Sequence, residues 1–286
     1  MGDDSRICGH RPSLGILAHR PAGHARLGPV GERLHSENDS SEYDESTYGE
    51  TWAPLYDDIF NIVEDYTIDT LEAMAGPSKK ALELAVGTGR VAIPLSQRGV
   101  EVIGIDNSEE MVSRLREKPG GEAIEVVFGD MAQVPVEGLF PLIYLPFNTL
   151  FALLSQERQV ACFHNVADHL VPGGRFALDC FVPDLTRFDR YNTRMAVSSI
   201  SSNQAHAYEM SIHHPLEQKV TSHHVRRLED GSTVVLPVTV RYAWPSELDL
   251  MAAMAGLELE HRWGWYDKRA FTEASNQHVS VYRKPA

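Results

Sequence analysis

Between residues 81 and 182, short strand-like segments alternate with segments whose apolar residues recur at helical spacing. One helical segment covers 90–97, another follows Ser108 and a third runs from Ser155 to the Pro172-Gly173-Gly174 stop. Alternation of this kind predicts an α/β fold, a doubly wound parallel sheet with helices on both faces. The strand-like segments cover 81–86, 100–105, 124–128, 139–145 and 176–182, and the second of them is rich in β-branched residues.

The pattern changes after Pro183, where strand-like segments follow one another without helices. Three such segments, at 205–214, 219–228 and 233–242, are separated by polar turns. Consecutive strands of this type predict an antiparallel unit. A helical segment at 245–255 and two closing strands, at 257–265 and 278–283, then complete the chain.

The segments before the first strand have a different character. Residues 1–40 carry Gly, Pro, His and Arg without periodicity, which predicts a disordered extension. The acidic and aromatic stretch at 41–76 predicts two short helices that form a lid. The rest of the chain is expected to divide into two parts. One is a cofactor-binding domain at 77–184 and 243–286, and the other is an antiparallel insert at 185–242 that caps the substrate.

Composition and charge narrow the classes of partner. The formal net charge of -14 disfavours nucleic acid, whose binding requires a basic face. The chain contains no run of about 20 apolar residues, and its N-terminus lacks the apolar core of a signal peptide, so we expect no membrane contact and a cytoplasmic location. Cys8, Cys162 and Cys180 form no CxxC pair, and no metal site is predicted.

The strongest chemical motif lies at the first strand-to-helix junction, where the sequence reads Glu83-Leu84-Ala85-Val86-Gly87-Thr88-Gly89-Arg90. Glycines in such a turn let a ligand approach the backbone, and the following helix offers free N–H groups to an anion. Asp106, at the end of the second strand, could accept hydrogen bonds from ribose hydroxyls. These features fit an NAD(P)-dependent oxidoreductase as well as an enzyme that uses S-adenosylmethionine.

Three further features favour S-adenosylmethionine. Asp130 and Met131 follow the third strand, where an acid could accept the adenine amino proton and a methionine could pack on the ring. The run 170–175 precedes the fifth strand, and the C-terminal segment suits a hairpin that reverses the last strand. The stretch 43–284 thereby resembles the class I S-adenosylmethionine-dependent methyltransferases, whose fold is a Rossmann-like, mostly parallel seven-stranded sheet with a reversed final strand.

The resemblance implies a set of site residues in this chain. Glu83 takes the place of the acid in the family's first motif, and Ala85 replaces the first glycine of the common pattern. Tyr48, Tyr56, Phe147 and Asn148 are expected at the methyl-transfer site, where aromatic rings near a sulfonium gain cation–π stabilisation. The residues expected to bind S-adenosylmethionine are Tyr56, Glu83, Ala85, Gly87, Gly89, Arg90, Asp106, Asn107, Met111, Asp130, Met131 and Pro146.

Within the family, the aromatic lid and the antiparallel insert resemble small-molecule N-methyltransferases of the glycine, amino-sugar and lincosamide types. This resemblance implies a small-molecule acceptor, and the acceptor class that we expect is an amine of antibiotic biosynthesis. It is also compatible with a homo-oligomer. The alternatives at this stage are an O-methyltransferase, the oxidoreductase, or a non-catalytic module that keeps the cofactor fold. No residue is a compelling general base, which favours an amine over a hydroxyl acceptor.

Overall fold

The computed structural model describes residues 43, 47–60, 62–199, 206–228 and 230–286. Residues 1–40, for which the sequence predicts a disordered extension, lie outside the described residues. The described part contains a seven-stranded sheet and a separate four-stranded sheet. The doubly wound α/β fold and the antiparallel insert expected from the sequence are thereby confirmed.

The seven-stranded sheet has the spatial order β10-β11-β5-β4-β1-β2-β3. All its central pairs are parallel, and β11 runs antiparallel to both β5 and β10, as expected for a reversed last strand. Strand order reverses beside β1, and ligands of such sheets bind beyond the carboxyl ends of the strands at this point. The strands are β1 (Lys80–Leu84), β2 (Glu101–Asp106), β3 (Glu125–Phe128), β4 (Phe140–Leu145), β5 (Leu170–Phe181), β10 (Glu258–Trp263) and β11 (Gln277–Arg283).

Helices cover both faces of this sheet. The core cluster on one face includes Leu82, Phe163 and Leu248. The cluster on the other face includes Leu142, Leu71 and Leu95. The helices are α3 (Asp65–Ala75), α4 (Ala92–Gln97), α5 (Glu109–Glu117), α6 (Gln156–His169) and α7 (Pro245–Met254).

The predicted helix starts agree with the structure, but one predicted helix stop does not. Ser108 Oγ accepts the Met111 N–H at 3.2 Å, and Ser155 Oγ accepts the Arg158 N–H at 3.2 Å. Helix α6 ends at His169, before the Pro172-Gly173-Gly174 run, which lies inside β5. The strand accommodates this run because the pairing of β4 with β5 shifts register there.

The four-stranded sheet is antiparallel throughout, in the order β6-β7-β8-β9. The sequence predicted three of these strands and missed β6. This strand lies at the sheet edge, and its Met195 side chain is 74% exposed, so it lacks the apolar alternation that marks a half-buried strand. The strands are β6 (Thr193–Ser199), β7 (His206–His214), β8 (Lys219–Arg227) and β9 (Thr233–Arg241).

The segment ahead of α3 forms α1 (Thr47–Trp52), a 3-10 turn (Ala53–Leu55) and α2 (Tyr56–Ile59), with Pro54 in the turn between the helices. Trp52 is buried against the four-stranded sheet, and its Nε1 donates to the Pro237 carbonyl oxygen at 2.9 Å. A Cβ on Gly49 would lie 2.5 Å from the Ser108 side chain, so the glycine allows α1 to approach α5 closely. Within the described ranges, no helix is long and apolar enough to span a bilayer.

Candidate active site

A pocket opens beyond the carboxyl ends of β1, β2 and β3, at the point where strand order reverses. The wall is mixed, with apolar side chains, backbone and a few polar groups. The lining residues are Tyr48, Gly49, Tyr56, Ala85, Gly87, Ile105, Asp106, Asn107, Ser108, Met111, Gly129, Asp130, Met131, Thr149, Ala152 and Leu153.

The glycine loop after β1 forms one wall of the pocket. Gly87 and Gly89 have φ angles of 54° and 75°, a region that favours glycine. Ala85 also lies there, with φ of 53°, and its Cβ is therefore strained where the family's common pattern has a glycine. A Cβ on Gly89 would lie 3.0 Å from the Ile93 and Leu115 side chains, so this glycine also permits packing behind the loop.

Asp106 connects β2 to the glycine loop and is only 7% exposed. Its Oδ2 accepts the Gly87 N–H at 2.6 Å, and its Oδ1 accepts the Ser108 N–H at 2.9 Å. Burial raises the pKa of this carboxyl, and the backbone hydrogen bonds oppose the shift. Each carboxylate oxygen keeps a second lone pair, so Asp106 can still accept bonds from two ribose hydroxyls at the pocket wall.

Asp130 and Met131 form the far wall, after β3. The Asp130 Oδ1 accepts the Ala132 N–H at 2.8 Å, and its Oδ2 forms an ion pair with Arg158 of α6 at 2.7 Å. The ion pair fixes the carboxylate orientation, as an adenine-recognising acid requires. Arg158 was not foreseen from the sequence, because it lies 28 residues after its partner.

Glu83 lies beneath the glycine loop rather than in the pocket wall, and it is 2% exposed. Burial raises the pKa of its carboxyl to about 8. The Tyr144 hydroxyl donates to Glu83 Oε2 at 2.8 Å, and together with the charge of Arg90 it opposes this rise. The carboxyl is therefore buried, hydrogen-bonded and sensitive to the arrival of a positive charge.

Arg90 extends from the glycine loop to the lid. Its guanidinium lies 3.3 Å from the Phe147 ring centroid. Its terminal nitrogens donate to the Phe60 carbonyl oxygen at 3.2 Å and to the Tyr56 hydroxyl at 3.3 Å. Its Nε is buried and has no hydrogen-bond partner among the described residues.

The aromatic residues of the lid stack against one another over the pocket. Tyr48 stacks on Trp52 with centroids 5.4 Å apart, and Tyr56 meets Tyr48 edge-on at 6.5 Å. Burial raises the pKa of both tyrosines above their usual value, so they are neutral at physiological pH. Tyr48 and Tyr56 line the pocket, whereas Trp52 packs against the four-stranded sheet.

A set of polar contacts that the sequence did not indicate ties the lid to the glycine loop. The Thr88 hydroxyl donates to Asp57 Oδ1 at 2.7 Å, and Lys118 Nζ donates to the same oxygen at 2.6 Å. Lys118 also donates to the Thr88 carbonyl oxygen at 2.8 Å. The three residues are separated along the chain by 30 residues or more, so no local motif marks them.

The structure brings most of the predicted site residues to the pocket wall, but not all. Glu83, Gly89, Arg90, Pro146, Phe147 and Asn148 lie behind or beside it. Asn148 does not cap the following 3-10 turn, since its Oδ1 accepts the Phe181 N–H at 2.5 Å instead. Sequence reasoning missed lining residues that carry no motif of their own, namely Gly49, Ile105, Thr149, Ala152 and Leu153.

The donors and acceptors present fit an adenosine-containing ligand with an amino-acid tail. Asp106 suits a ribose, Asp130 and Met131 suit an adenine, and the glycine loop with the nearby Arg90 suits a carboxylate. Among the described residues, no cluster of His, Cys, Asp and Glu could hold a metal ion.

Residues 81–174 match the model of a methyltransferase domain family. The structure of the CcbJ methyltransferase from Streptomyces caelestis superimposes with a TM-score of 0.76 and is 38% identical in sequence. That similarity covers 85% of this chain and all of the other.

Two further relatives are methyltransferases named for their substrates. The cypemycin N-terminal methyltransferase of a Streptomyces species is 24% identical over 248 residues, which cover 84% of this chain and 99% of that protein. The S-adenosylmethionine-bound CalS10, an amino pentose methyltransferase from Micromonospora echinaspora, has a TM-score of 0.59 and is 18% identical in sequence. The similarity covers 82% of this chain and 93% of that protein. At that identity the second similarity concerns the fold alone.

Proposed function

The chain belongs to the S-adenosylmethionine-dependent methyltransferases, and on that basis we propose that it methylates an amine nitrogen of a small molecule. One observation carries the choice of nitrogen. The titratable groups of the pocket wall are Asp106, Asp130, Tyr48 and Tyr56. Both carboxylates already accept backbone N–H groups, and both phenols have raised pKa values, so the described residues of the wall offer no ready base. An amine needs only to lose its ammonium proton before attack, whereas a hydroxyl needs a positioned base.

When bound, S-adenosylmethionine supplies a methyl group that its sulfonium has already activated. The protein then has to align the reactants and exclude water. Asp106 would hold the ribose, and Asp130, oriented by Arg158, would hold the adenine amino group. Glu83 beneath the loop and Arg90 beside the lid would hold the amino-acid tail. Ala85, Gly87, Gly89, Asn107, Met111, Met131 and Pro146 complete the proposed cofactor shell.

We assign the reacting end of the site to the lid and to the turn after β4. Tyr48 and Tyr56 present aromatic rings to the pocket, where a sulfonium gains cation–π stabilisation. Phe147 and Asn148 belong to this end as positioning elements, because they hold Arg90 and the end of β5 rather than line the pocket. In-line attack then requires the acceptor nitrogen to approach the methyl carbon from the side opposite the sulfur.

The four-stranded sheet forms the acceptor side of this arrangement. Leu236 of β9 packs with Trp52 and Met111, and the 3-10 turn Thr149–Ala152, which borders the pocket, also lies against β9. We therefore propose that residues 185–242 cap the acceptor. The N-terminal methylation for which the cypemycin relative is named makes an amine of antibiotic biosynthesis the first acceptor class to test.

The test is a methyl-transfer assay with acceptors that differ only in having an amine or a hydroxyl at one position. Purified protein is incubated with S-adenosylmethionine labelled in its methyl group, and products are located by mass spectrometry. We expect label on nitrogen, with no transfer by Asp106→Asn. Transfer to the hydroxyl members alone, with a rate that follows the ionisation of a single group, would make the enzyme an O-methyltransferase.

A further inference from the structure

Asp179 is a buried acid near the end of β5 that does not line the pocket and takes no part in the proposed contacts. It is 2% exposed. Its Oδ1 accepts the Tyr266 hydroxyl at 2.9 Å, and its Oδ2 accepts the Phe147 N–H at 2.9 Å. A buried carboxylate is costly unless its hydrogen bonds compensate, so its presence here needs an explanation.

The explanation lies in the turn that follows β4. Phe147 and Asn148 both have positive φ angles, of 63° and 61°, which are unfavourable for residues with side chains. The end of β5 holds this turn at three points. Besides the Asp179 side chain, its carbonyl oxygen accepts the Asn148 N–H at 3.1 Å, and Asn148 Oδ1 accepts the Phe181 N–H.

The same turn positions Arg90. The centroid of the Phe147 ring lies 3.3 Å from the Arg90 guanidinium, which also donates to Tyr56 and Phe60 of the lid. Contacts therefore run from Tyr266, in the connection between β10 and β11, through Asp179 and Phe147 to Arg90 and the lid. Each step is a direct contact, either a hydrogen bond or the stacking of the guanidinium on the ring.

We propose that Asp179, held by Tyr266, is a positioning residue for the cofactor site. It fixes the strained turn that places Phe147 against Arg90, and through Arg90 it orders the lid over the pocket. The proposal rests on the proposed function, because it takes Arg90 and the lid as parts of the S-adenosylmethionine site. Burial raises the pKa of Asp179 to about 6, so at neutral pH most of these carboxyls are ionised and accept from both donors.

The structure supplies a matched control for a purely structural role. Tyr282 is as buried as Tyr266, and its hydroxyl donates to Asp249 Oδ1 at 2.8 Å. This second tyrosine–aspartate bond lies between β11 and α7, and neither of its residues is among the described residues that line the pocket. Tyr266→Phe and Tyr282→Phe each remove one tyrosine–aspartate hydrogen bond, of which only the first belongs to the proposed chain of contacts.

The experiment measures S-adenosylhomocysteine affinity by calorimetry for the full-length protein and its variants. We expect Asp179→Ala to weaken binding about tenfold, because the Phe147 N–H is left without a partner and the turn relaxes. Asp179→Asn, whose amide oxygen can still accept that N–H, should return the affinity to within about threefold of the wild type. Tyr266→Phe should weaken binding by about threefold and Tyr282→Phe should leave it unchanged.

A double variant tests whether the effect passes through Phe147. In the Phe147→Ala background, Asp179→Ala should cost less than about twofold in affinity, because residues that act through one another are not additive. Fully additive losses of affinity, or equal losses for the two tyrosine variants, would overturn the proposal. The comparison of Tyr266→Phe with Tyr282→Phe tests it even where Asp179→Ala does not fold. These results are independent of the acceptor atom, so an error about N-methylation would appear only in the transfer assay.

Discussion

The most informative consequence of the site is that cofactor binding should release a proton from Glu83. Burial raises the pKa of this carboxyl to about 8, so at pH 7 about 0.9 of the molecules carry a protonated Glu83. The amino group of S-adenosylhomocysteine is an ammonium ion at this pH. If it lies near Glu83, as the resemblance implies, it favours the ionised carboxylate and displaces the proton.

The magnitude follows from the same pKa. We expect about 0.9 proton released per ligand bound at pH 7, and an affinity that rises about 50-fold from pH 6 to pH 8 as the ionised fraction increases. The sign is fixed by the raised pKa, since binding selects the ionised form, which predominates only above pH 8. Asp179 contributes little, because its pKa of about 6 leaves it mostly ionised at pH 7.

The assay is calorimetric titration at pH 7 in buffers that differ in ionisation enthalpy. The slope of the observed enthalpy against the buffer enthalpy gives the number of protons released. Glu83→Gln is the control, and it should bind with a slope near zero and little pH dependence. Release of less than about 0.2 proton by the wild type, or the same slope in Glu83→Gln, would refute the argument.

Four further expectations concern other parts of the site and the fold. Asp106→Asn should weaken S-adenosylhomocysteine binding about 100-fold in calorimetry, because an amide oxygen cannot accept from both backbone N–H groups and the ribose; a loss under threefold contradicts this. Lys118→Met should raise hydrogen exchange in the lid two- to fivefold or so by removing its half-buried pair with Asp57, and unchanged exchange would show that the pair does not hold the lid. Ala85→Gly should raise the thermal midpoint by roughly 2–4 °C, since its φ is 53°, whereas a fall would mean that the Cβ packs usefully. Arg241→Ala should lower the free energy of unfolding in urea by about 3 kcal/mol, because it leaves a buried network without its cation, and a loss below about 1 kcal/mol would contradict that.

Features encoded locally could be predicted from the sequence. The glycine loop and Asp106 are adjacent to strands whose apolar pattern is clear, and the doubly wound topology brings them together in any such fold. Ser108 and Ser155 cap their helices as expected, because a cap depends only on the next three residues. The reversed last strand was also predictable from the closing hairpin.

Features that depend on contacts distant in sequence could not be predicted. Asp179 reads as one polar residue in an apolar strand, and its role emerges only when Tyr266 and Phe147 meet it from 87 and 32 residues away. The same holds for the ion pair of Arg158 with Asp130. Strand β6 was missed for a different reason, because an edge strand with an exposed apolar side chain shows no burial pattern.

The central claim is that the pocket beyond β1, β2 and β3 binds S-adenosylmethionine rather than a nicotinamide cofactor. Its most direct test is calorimetric titration of the purified protein with S-adenosylhomocysteine and, in parallel, with NADH and NADPH. We expect binding of S-adenosylhomocysteine alone, at one site per chain, and binding about 100-fold weaker in Asp106→Asn. Binding of NADH or NADPH without binding of S-adenosylhomocysteine would contradict the account.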